Sequence, residues 1–126
     1  MEKLSEKAIN YFMLAKIAEQ LGMNSEAAAN YFKALSAIND QILGSIGLKA
    51  KDHSERFLML KQNFPSFYEL TDRLFSVYRR TYTGEIKKEE VALLRKNVEE
   101  AFKNAKISLP SDGEIKERIK KIFFFS

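Results

Sequence analysis

The fold of this protein is decided in residues 27–38, Ala27-Ala28-Ala29-Asn30-Tyr31-Phe32-Lys33-Ala34-Leu35-Ser36-Ala37-Ile38. Apolar residues recur there every three or four positions, which places them on one face of an α-helix. We expect this helix to be capped by Asn24 or Ser25 and to reach about Ile46. Its predicted buried face consists of Ala28, Tyr31, Phe32, Leu35, Ile38, Ile42 and Leu43.

The same periodicity predicts helices on both sides of this stretch. Upstream, a helix from about Ser5 to Leu21 is expected to stop at Gly22, because glycine tolerates the left-handed conformation of a helix cap. The short connection predicts that these two helices form an antiparallel hairpin. Downstream, we expect helices over about residues 53–62, 66–82 and 88–106, followed by a short last helix over residues 114–125.

Two residue pairs have the spacing of a capping box, in which a side chain at the helix start bonds a backbone N–H three residues on. They are Asp52 with Glu55 and Ser66 with Glu69. No stretch shows sustained period-two alternation, so no β-sheet is predicted. The sequence therefore predicts an all-α, up-and-down bundle of about five helices. Residues 1–106 form the bundle, and residues 107–126 are a segment of the same domain.

Composition limits the classes of protein and of site. The chain has 126 residues, 45% of them hydrophobic and 30% charged, which fits one globular domain. It has no cysteine and one histidine, so neither a disulfide framework nor a thiolate or histidine-rich metal site is expected, and no metal or cofactor is predicted. The first residues are charged, and no apolar run approaches the roughly 20 residues of a membrane span, so we expect a cytoplasmic protein without a membrane partner.

The net charge of +4 is concentrated in one region. Residues 73–96 contain seven cations and three acids, while the rest of the chain sums to zero. Such a region attracts phosphate or an acidic partner. The alternative is a solvated helix face without a ligand.

The strongest candidate site is the run Tyr78-Arg79-Arg80-Thr81-Tyr82-Thr83-Gly84 at the end of the fourth predicted helix. Arg79 and Arg80 point about 100° apart, whereas Tyr78 and Tyr82 share a face. Arginine between tyrosine rings suits a phosphate or a base, through bidentate hydrogen bonds and stacking, so all four are candidate ligand-binding residues. The alternative is that the cations only complement the carboxyl end of the helix.

Two further features of the sequence are candidates for a functional role. His53 lies in the first turn of the third predicted helix, where it is either part of the capping network or a general acid or base. The tail Phe123-Phe124-Phe125 is too apolar to stay in water and is expected to dock on its own domain or on a partner. A membrane-surface helix is the other reading, but Asp112, Glu114 and Glu117 nearly cancel the cations before the tail.

Three stretches together resemble the HEPN family, the small helical domains named for nucleotide binding in higher eukaryotes and prokaryotes. Residues 27–38 resemble the second helix of the family. Residues 46–54, Ile46-Gly47-Leu48-Lys49-Ala50-Lys51-Asp52-His53-Ser54, resemble its connection into helix three. Residues 78–85 resemble the end of its helix four. The resemblance covers roughly residues 5–106.

The resemblance implies a bundle that commonly forms homodimers, with the groove of helix four at the interface. Many HEPN members are metal-independent ribonucleases, and others accompany nucleotidyltransferases as toxin–antitoxin pairs or substrate-binding modules. The ribonucleases carry an arginine followed after four to six residues by a histidine. Here the corresponding positions after Arg79 and Arg80 are Gly84, Glu85, Ile86 and Lys87.

The expected function is therefore that of a non-catalytic, dimeric HEPN-like module that binds a nucleotide, RNA or a nucleotidyltransferase partner. One alternative is a divergent ribonuclease, with its catalytic group drawn from Arg79, Arg80, Tyr82 and His53. The other is a purely structural interaction module that docks through its aromatic tail.

Overall fold

The computed structural model describes the backbone of residues 3–125 and the side chains of residues 3–121. The six helices are α1 (Leu4–Gln20), α2 (Asn24–Gly44), α3 (His53–Asn63), α4 (Pro65–Arg80), α5 (Lys88–Asn104) and α6 (Asp112–Phe125). No β-strand occurs between residues 3 and 125. The prediction of an all-helical bundle is confirmed, and the short last helix is present as α6. The side chains of the predicted docking tail lie outside the described residues.

Helix α2 is the centre of the bundle, because it packs against α1, α3, α4 and α5. Most of its predicted inner face is fully buried, including Tyr31, Phe32 and Leu35, whereas Ile42 is only half-buried. The ring of Phe12 on α1 meets Tyr31 and Phe102 edge-on, at centroid distances of 5.5 and 5.3 Å. Aromatic contacts in this geometry add to the burial of apolar area, so these rings join α1, α2 and α5 in one core.

The turn between α1 and α2 confirms Gly22 as a helix stop. Gly22 has a φ of +74°, and the N–H of Met23 donates to the carbonyl of Ala18 over 2.9 Å. The prediction that Asn24 or Ser25 caps α2 is wrong. The helix already begins at Asn24, so Met23 occupies the N-cap position. The amide of Asn24 instead donates to the carbonyl of Ile86 over 3.1 Å, which ties the loop before α5 to the start of α2.

The two predicted capping boxes have different outcomes. Asp52 caps α3, since its Oδ1 accepts from the N–H of Glu55 over 2.9 Å. The pair Ser66 and Glu69 does not cap α4, because that helix begins at Pro65 and Ser66 already lies inside it. Proline is suited to the first helical position, where no N–H is needed. Helix α4 ends at Arg80 and α5 at Asn104, two residues earlier than predicted in both cases.

Replacing Asp52 with alanine is expected to lower the free energy of unfolding by about 1 kcal/mol, because the N–H of Glu55 loses its acceptor. Urea unfolding followed by circular dichroism measures this change. Ser66→Ala is the matched control, since Ser66 was predicted to cap α4 but its side chain makes no capping bond. Equal effects of the two substitutions would contradict the assignment of Asp52 as the cap.

Helix α6 runs antiparallel to α1. Asp112 lies 3.4 Å from the Lys16 ammonium, and Arg118 donates to the Asn10 side chain over 3.2 Å. Ile115 between them is buried, with 6% of its surface exposed. Among the described residues, no helix is long and apolar enough to cross a membrane.

Candidate functional site

A cleft of about 250 Å³ opens between α1, α2, α3 and α4. Its floor includes the rings of Phe32 and Tyr78, which stack with their centroids 4.5 Å apart. The polar side chains around it come from three helices and are Lys7, Tyr11, Lys33, Ser36, Asp40, His53 and Arg56. Positive charge and aromatic rings therefore share one concave surface.

The Asp52 cap positions His53 beside this floor, since it fixes the first turn of α3. The His53 ring lies 6.0 Å from that of Tyr78 and 5.8 Å from that of Phe75. Both of these rings belong to α4, which is joined to α3 through the single residue Phe64. The fold thus brings His53 to Tyr78, which is 25 positions away in the sequence.

His53 is held by a chain of two contacts. The Arg56 guanidinium binds Asp40 through two hydrogen bonds of 2.8 and 3.1 Å, and its Nη1 lies 2.9 Å from Nδ1 of His53. A guanidinium only donates, so Nδ1 accepts and the imidazole proton is on Nε2. Burial, followed by the nearby charge of Arg56, holds the pKa of His53 below its ordinary value. At neutral pH His53 is therefore a neutral imidazole, and its Nε2–H makes no hydrogen bond within the described part of the chain.

Tyr78 and Tyr82 form a pair at the end of α4. Their phenolic oxygens lie 2.9 Å apart, and their rings meet edge-on with centroids separated by 5.7 Å. Burial, followed by the hydrogen bond with Tyr82, raises the pKa of Tyr78 to about 12. Tyr78 therefore stays protonated at neutral pH, and its exposed neighbour Tyr82 extends the aromatic surface outwards.

The two candidate arginines lie outside this cleft. Arg80 pairs with Glu90 on α5, and the pKa of the Glu90 carboxyl is lowered chiefly by that contact. Arg79 borders an open depression together with Ser76 and Thr83. The predicted site is thus divided: His53 and Tyr78 meet in the cleft, Tyr82 adjoins them, and Arg79 and Arg80 belong to another surface.

Sequence reasoning missed Lys7, Tyr11, Lys33, Asp40 and Arg56, which line the cleft. A signal for part of this set was present in α2. Lys33, Ser36 and Asp40 recur at three- and four-residue spacing in a helix that is otherwise mostly apolar, so they mark one polar face. The contributions of Lys7 and Arg56 had no comparable local signal.

The charges of the cleft do not cancel. Among the described residues that line it, Asp40 carries the one carboxylate, and that group is bound to Arg56. Neither Lys7 nor Lys33 lies within ion-pair distance of a carboxylate of residues 3–121. No group of three or more histidine, aspartate or glutamate side chains in the described part of the chain is arranged to hold a metal ion. The cleft suits an anionic ligand better than a cation.

Comparisons with known proteins leave the family open. The chain matches no family model, no curated protein and no solved structure. The resemblance to the HEPN family therefore stays a prediction from the three sequence stretches that carry it.

Proposed function

We propose that this protein is a non-catalytic helical module that binds a nucleotide or RNA in the cleft between α1, α2, α3 and α4. One observation carries the proposal: beside a concave aromatic surface, neither Lys7 nor Lys33 forms an ion pair with a carboxylate of residues 3–121. A ligand with a phosphate and a planar base matches both properties, since the phosphate takes the ammonium groups and the base takes the rings.

The size of the cleft limits how much of the ligand enters it. Its volume of about 250 Å³ lies below the roughly 300–1,000 Å³ of sites that enclose a whole small molecule. One nucleotide unit is thus the largest part expected inside, with any further RNA on the outer surface. The free N–H of His53 supplies a directed donor for a phosphate oxygen or a base edge.

Three features support binding without catalysis. Nδ1 of His53 is occupied by Arg56, so the imidazole has no free acceptor with which to take a proton. The pKa of Tyr78 is raised to about 12, so its phenol is a poorer proton donor than an ordinary tyrosine. Neither Arg79 nor Arg80 lines the cleft, so neither lies beside a phosphate bound there.

The proposal also includes the oligomeric state, the compartment and a protein partner. A HEPN-like module of this kind acts as a homodimer in the cytoplasm, alone or together with a nucleotidyltransferase. The three sequence stretches that resemble the family support this setting. The absence of cysteine is compatible with a reducing compartment.

Binding of fluorescently labelled short RNA and of labelled nucleotides, measured by anisotropy over a range of salt concentrations, tests the proposal. Lys7→Ala and Lys33→Ala are each expected to weaken binding at least about tenfold, because a hydrogen bond to a charged group contributes about 1.5–3 kcal/mol. Each is also expected to reduce the salt dependence by about 0.7 in the logarithmic slope, the value for one lost contact to a single strand.

Lys96→Ala is the matched control, since Lys96 is an exposed lysine of α5 within the basic region but away from the cleft. Arg79→Ala and Arg80→Ala are also expected to keep the wild-type affinity. Loss of binding in the arginine variants alone would move the site to the end of α4. Absence of binding by the wild-type protein would refute the proposed function.

A further inference from the structure

Two polar side chains are buried together between α2 and α4, outside the cleft. Asn39 has 0% and Thr71 has 2% of its surface exposed, and tyrosines apart they are the only buried polar side chains among residues 3–121. The amide nitrogen of Asn39 donates to the hydroxyl of Thr71 over 2.8 Å. Neither residue lines the cleft, so each can act on the cleft only through the helix that carries it.

The hydrogen bonds of Thr71 determine which way the Asn39 amide points. Thr71 has a single hydroxyl proton, which it donates to the carbonyl of Phe67 over 2.7 Å. The hydroxyl oxygen can therefore only accept from Asn39, so the amide nitrogen faces Thr71. The amide oxygen, Oδ1, has no hydrogen-bond partner within the described part of the chain. A buried acceptor without a partner lowers stability, so stability alone does not account for this pair.

The same interface between α2 and α4 contains the floor of the cleft. Phe32 precedes Asn39 by seven residues on α2, and Tyr78 follows Thr71 by seven residues on α4. Seven residues make about two helical turns, or roughly 10 Å, so the two pairs lie on matching faces of antiparallel helices. The rings of Phe32 and Tyr78 stack with centroids 4.5 Å apart. One register of α4 on α2 therefore forms the hydrogen bond and the stacked floor together.

Neighbouring registers offer the buried amide no partner. A shift of α4 by one turn along α2 keeps the same two faces in contact, and helices are known to move past each other in such steps. The shift would set Asn39 against Phe67 or Phe75, whose side chains cannot form hydrogen bonds. The amide would then be buried without a partner at either end, which is costly.

We propose that the hydrogen bond between Asn39 and Thr71 sets the register of α4 on α2 and thereby positions Tyr78 on the floor of the cleft. Asn39 and Thr71 are positioning residues, because they act through α4 and do not touch the ligand. A polar pair in an apolar interface suits this role, since it stabilises one alignment relative to the others. Its effect on binding rests on the function proposed for the cleft, whereas its effect on the floor does not.

Proton NMR of His53 reports the register without any ligand. The His53 ring lies 6.0 Å from that of Tyr78 and 5.8 Å from that of Phe75, so the ring currents of these α4 side chains affect its signals. Asn39→Leu/Thr71→Val replaces both polar groups with apolar ones of similar size. This double variant is expected to unfold at the urea concentration of the wild type or above it. Its His53 ring signals are expected to move or to broaden.

Two control variants separate register from other effects. Thr71→Ser keeps the hydroxyl that accepts from Asn39, and is expected to keep the wild-type signals of His53. Tyr31→Phe removes a buried hydrogen bond of α2 that leads to Glu19 on α1 rather than to α4, and is also expected to leave these signals unchanged. Thr71→Val alone removes the acceptor at constant shape. It is expected to shift the His53 signals, and it decides the question if the double variant does not fold.

Nucleotide affinity is the second measurement. The double variant is expected to bind roughly threefold to thirtyfold more weakly, the size of effect found for residues that influence a site without touching it. Unchanged His53 signals in the folded variant would overturn the inference, and so would equal changes in Thr71→Ser. Changed His53 signals in a protein whose wild type binds no nucleotide would support the register and refute only the function proposed for the cleft.

Discussion

Replacing Phe12 with alanine is expected to lower the free energy of unfolding by about 3–5 kcal/mol, the range for removing a fully buried aromatic ring. Phe12 has 2% of its surface exposed and lies between the rings of Tyr31 and Phe102. Its loss leaves a cavity at the point where α1, α2 and α5 meet. Helices α1 and α2 are joined by a short turn and α2 packs against both α1 and α5, so the cavity is expected to close only in part.

Urea unfolding measured by circular dichroism checks this prediction. A domain of this size has a stability of about 5–15 kcal/mol, so the midpoint is expected to fall by a large fraction while the slope stays nearly constant. Phe12→Leu is the matched control, because it keeps part of the buried volume and is expected to cost less than half as much. A loss below about 1 kcal/mol in the alanine variant would show that Phe12 is not a central core residue.

The core was predictable from the sequence because its signals are local. The spacing of Tyr31, Phe32 and Leu35 alone predicts one buried face of α2. Helix ends are indicated locally as well, by the backbone freedom of Gly22 and by the side chain of Asp52. Asn24 does not cap α2 because it is already the first residue of that helix. Its amide group instead donates to the carbonyl of Ile86, 62 positions away, a contact that no local pattern contains.

The candidate site was predictable only in part for the same physical reason. Tyr78 and Tyr82 share a face because helical residues four apart do so, and the structure keeps them paired. The partner of Arg80 is Glu90 on the next helix, and this pair lies outside the cleft. The cleft itself depends on how α1, α2 and α3 pack together, so Lys7, Lys33 and Arg56 meet only in the folded chain.

Polar side chains also connect helices in this fold, as a network of three residues from α1, α2 and α5 shows. The Tyr31 hydroxyl donates to Oε1 of Glu19 over 2.7 Å, and the Arg95 guanidinium binds the same carboxylate. Burial, followed by the hydrogen bond to Glu19, raises the pKa of Tyr31, so its hydroxyl remains a donor well above neutral pH. Each member is on a different helix, and the network therefore fixes α1, α2 and α5 beside the core of aromatic rings.

Replacing Arg56 with methionine is expected to lower the free energy of unfolding by about 2 kcal/mol near neutral pH. The substitution removes two charge-assisted hydrogen bonds to Asp40, whose side chain is 27% exposed and would lose its partner. Methionine keeps much of the apolar volume of the arginine stem, so lost packing contributes little. Arg73→Met is the matched control, because Arg73 is exposed and makes one hydrogen bond, of 3.3 Å, to Asn97.

The same substitution is expected to raise the pKa of His53, because the charge of Arg56 disfavours the imidazolium while that of Asp40 favours it. In the wild type the unfolded chain binds this proton more readily than the folded one. The stability from His53 is therefore complete above pH 6.5, the ordinary pKa of histidine, and is lost as pH falls through the lower folded pKa. In Arg56→Met the loss of stability below pH 6.5 is expected to be smaller.

Proton NMR titration measures the pKa directly, since His53 is the one histidine in the chain and its ring signals need no further assignment. Nitrogen chemical shifts of the imidazole add the position of the proton, which is expected on Nε2 in the wild type and on either nitrogen in Arg56→Met. An unchanged pKa and tautomer in the variant would show that Arg56 does not hold the ring. The cleft would then lack the fixed Nε2–H donor of His53 that is proposed to bind a phosphate oxygen or a base edge of the ligand.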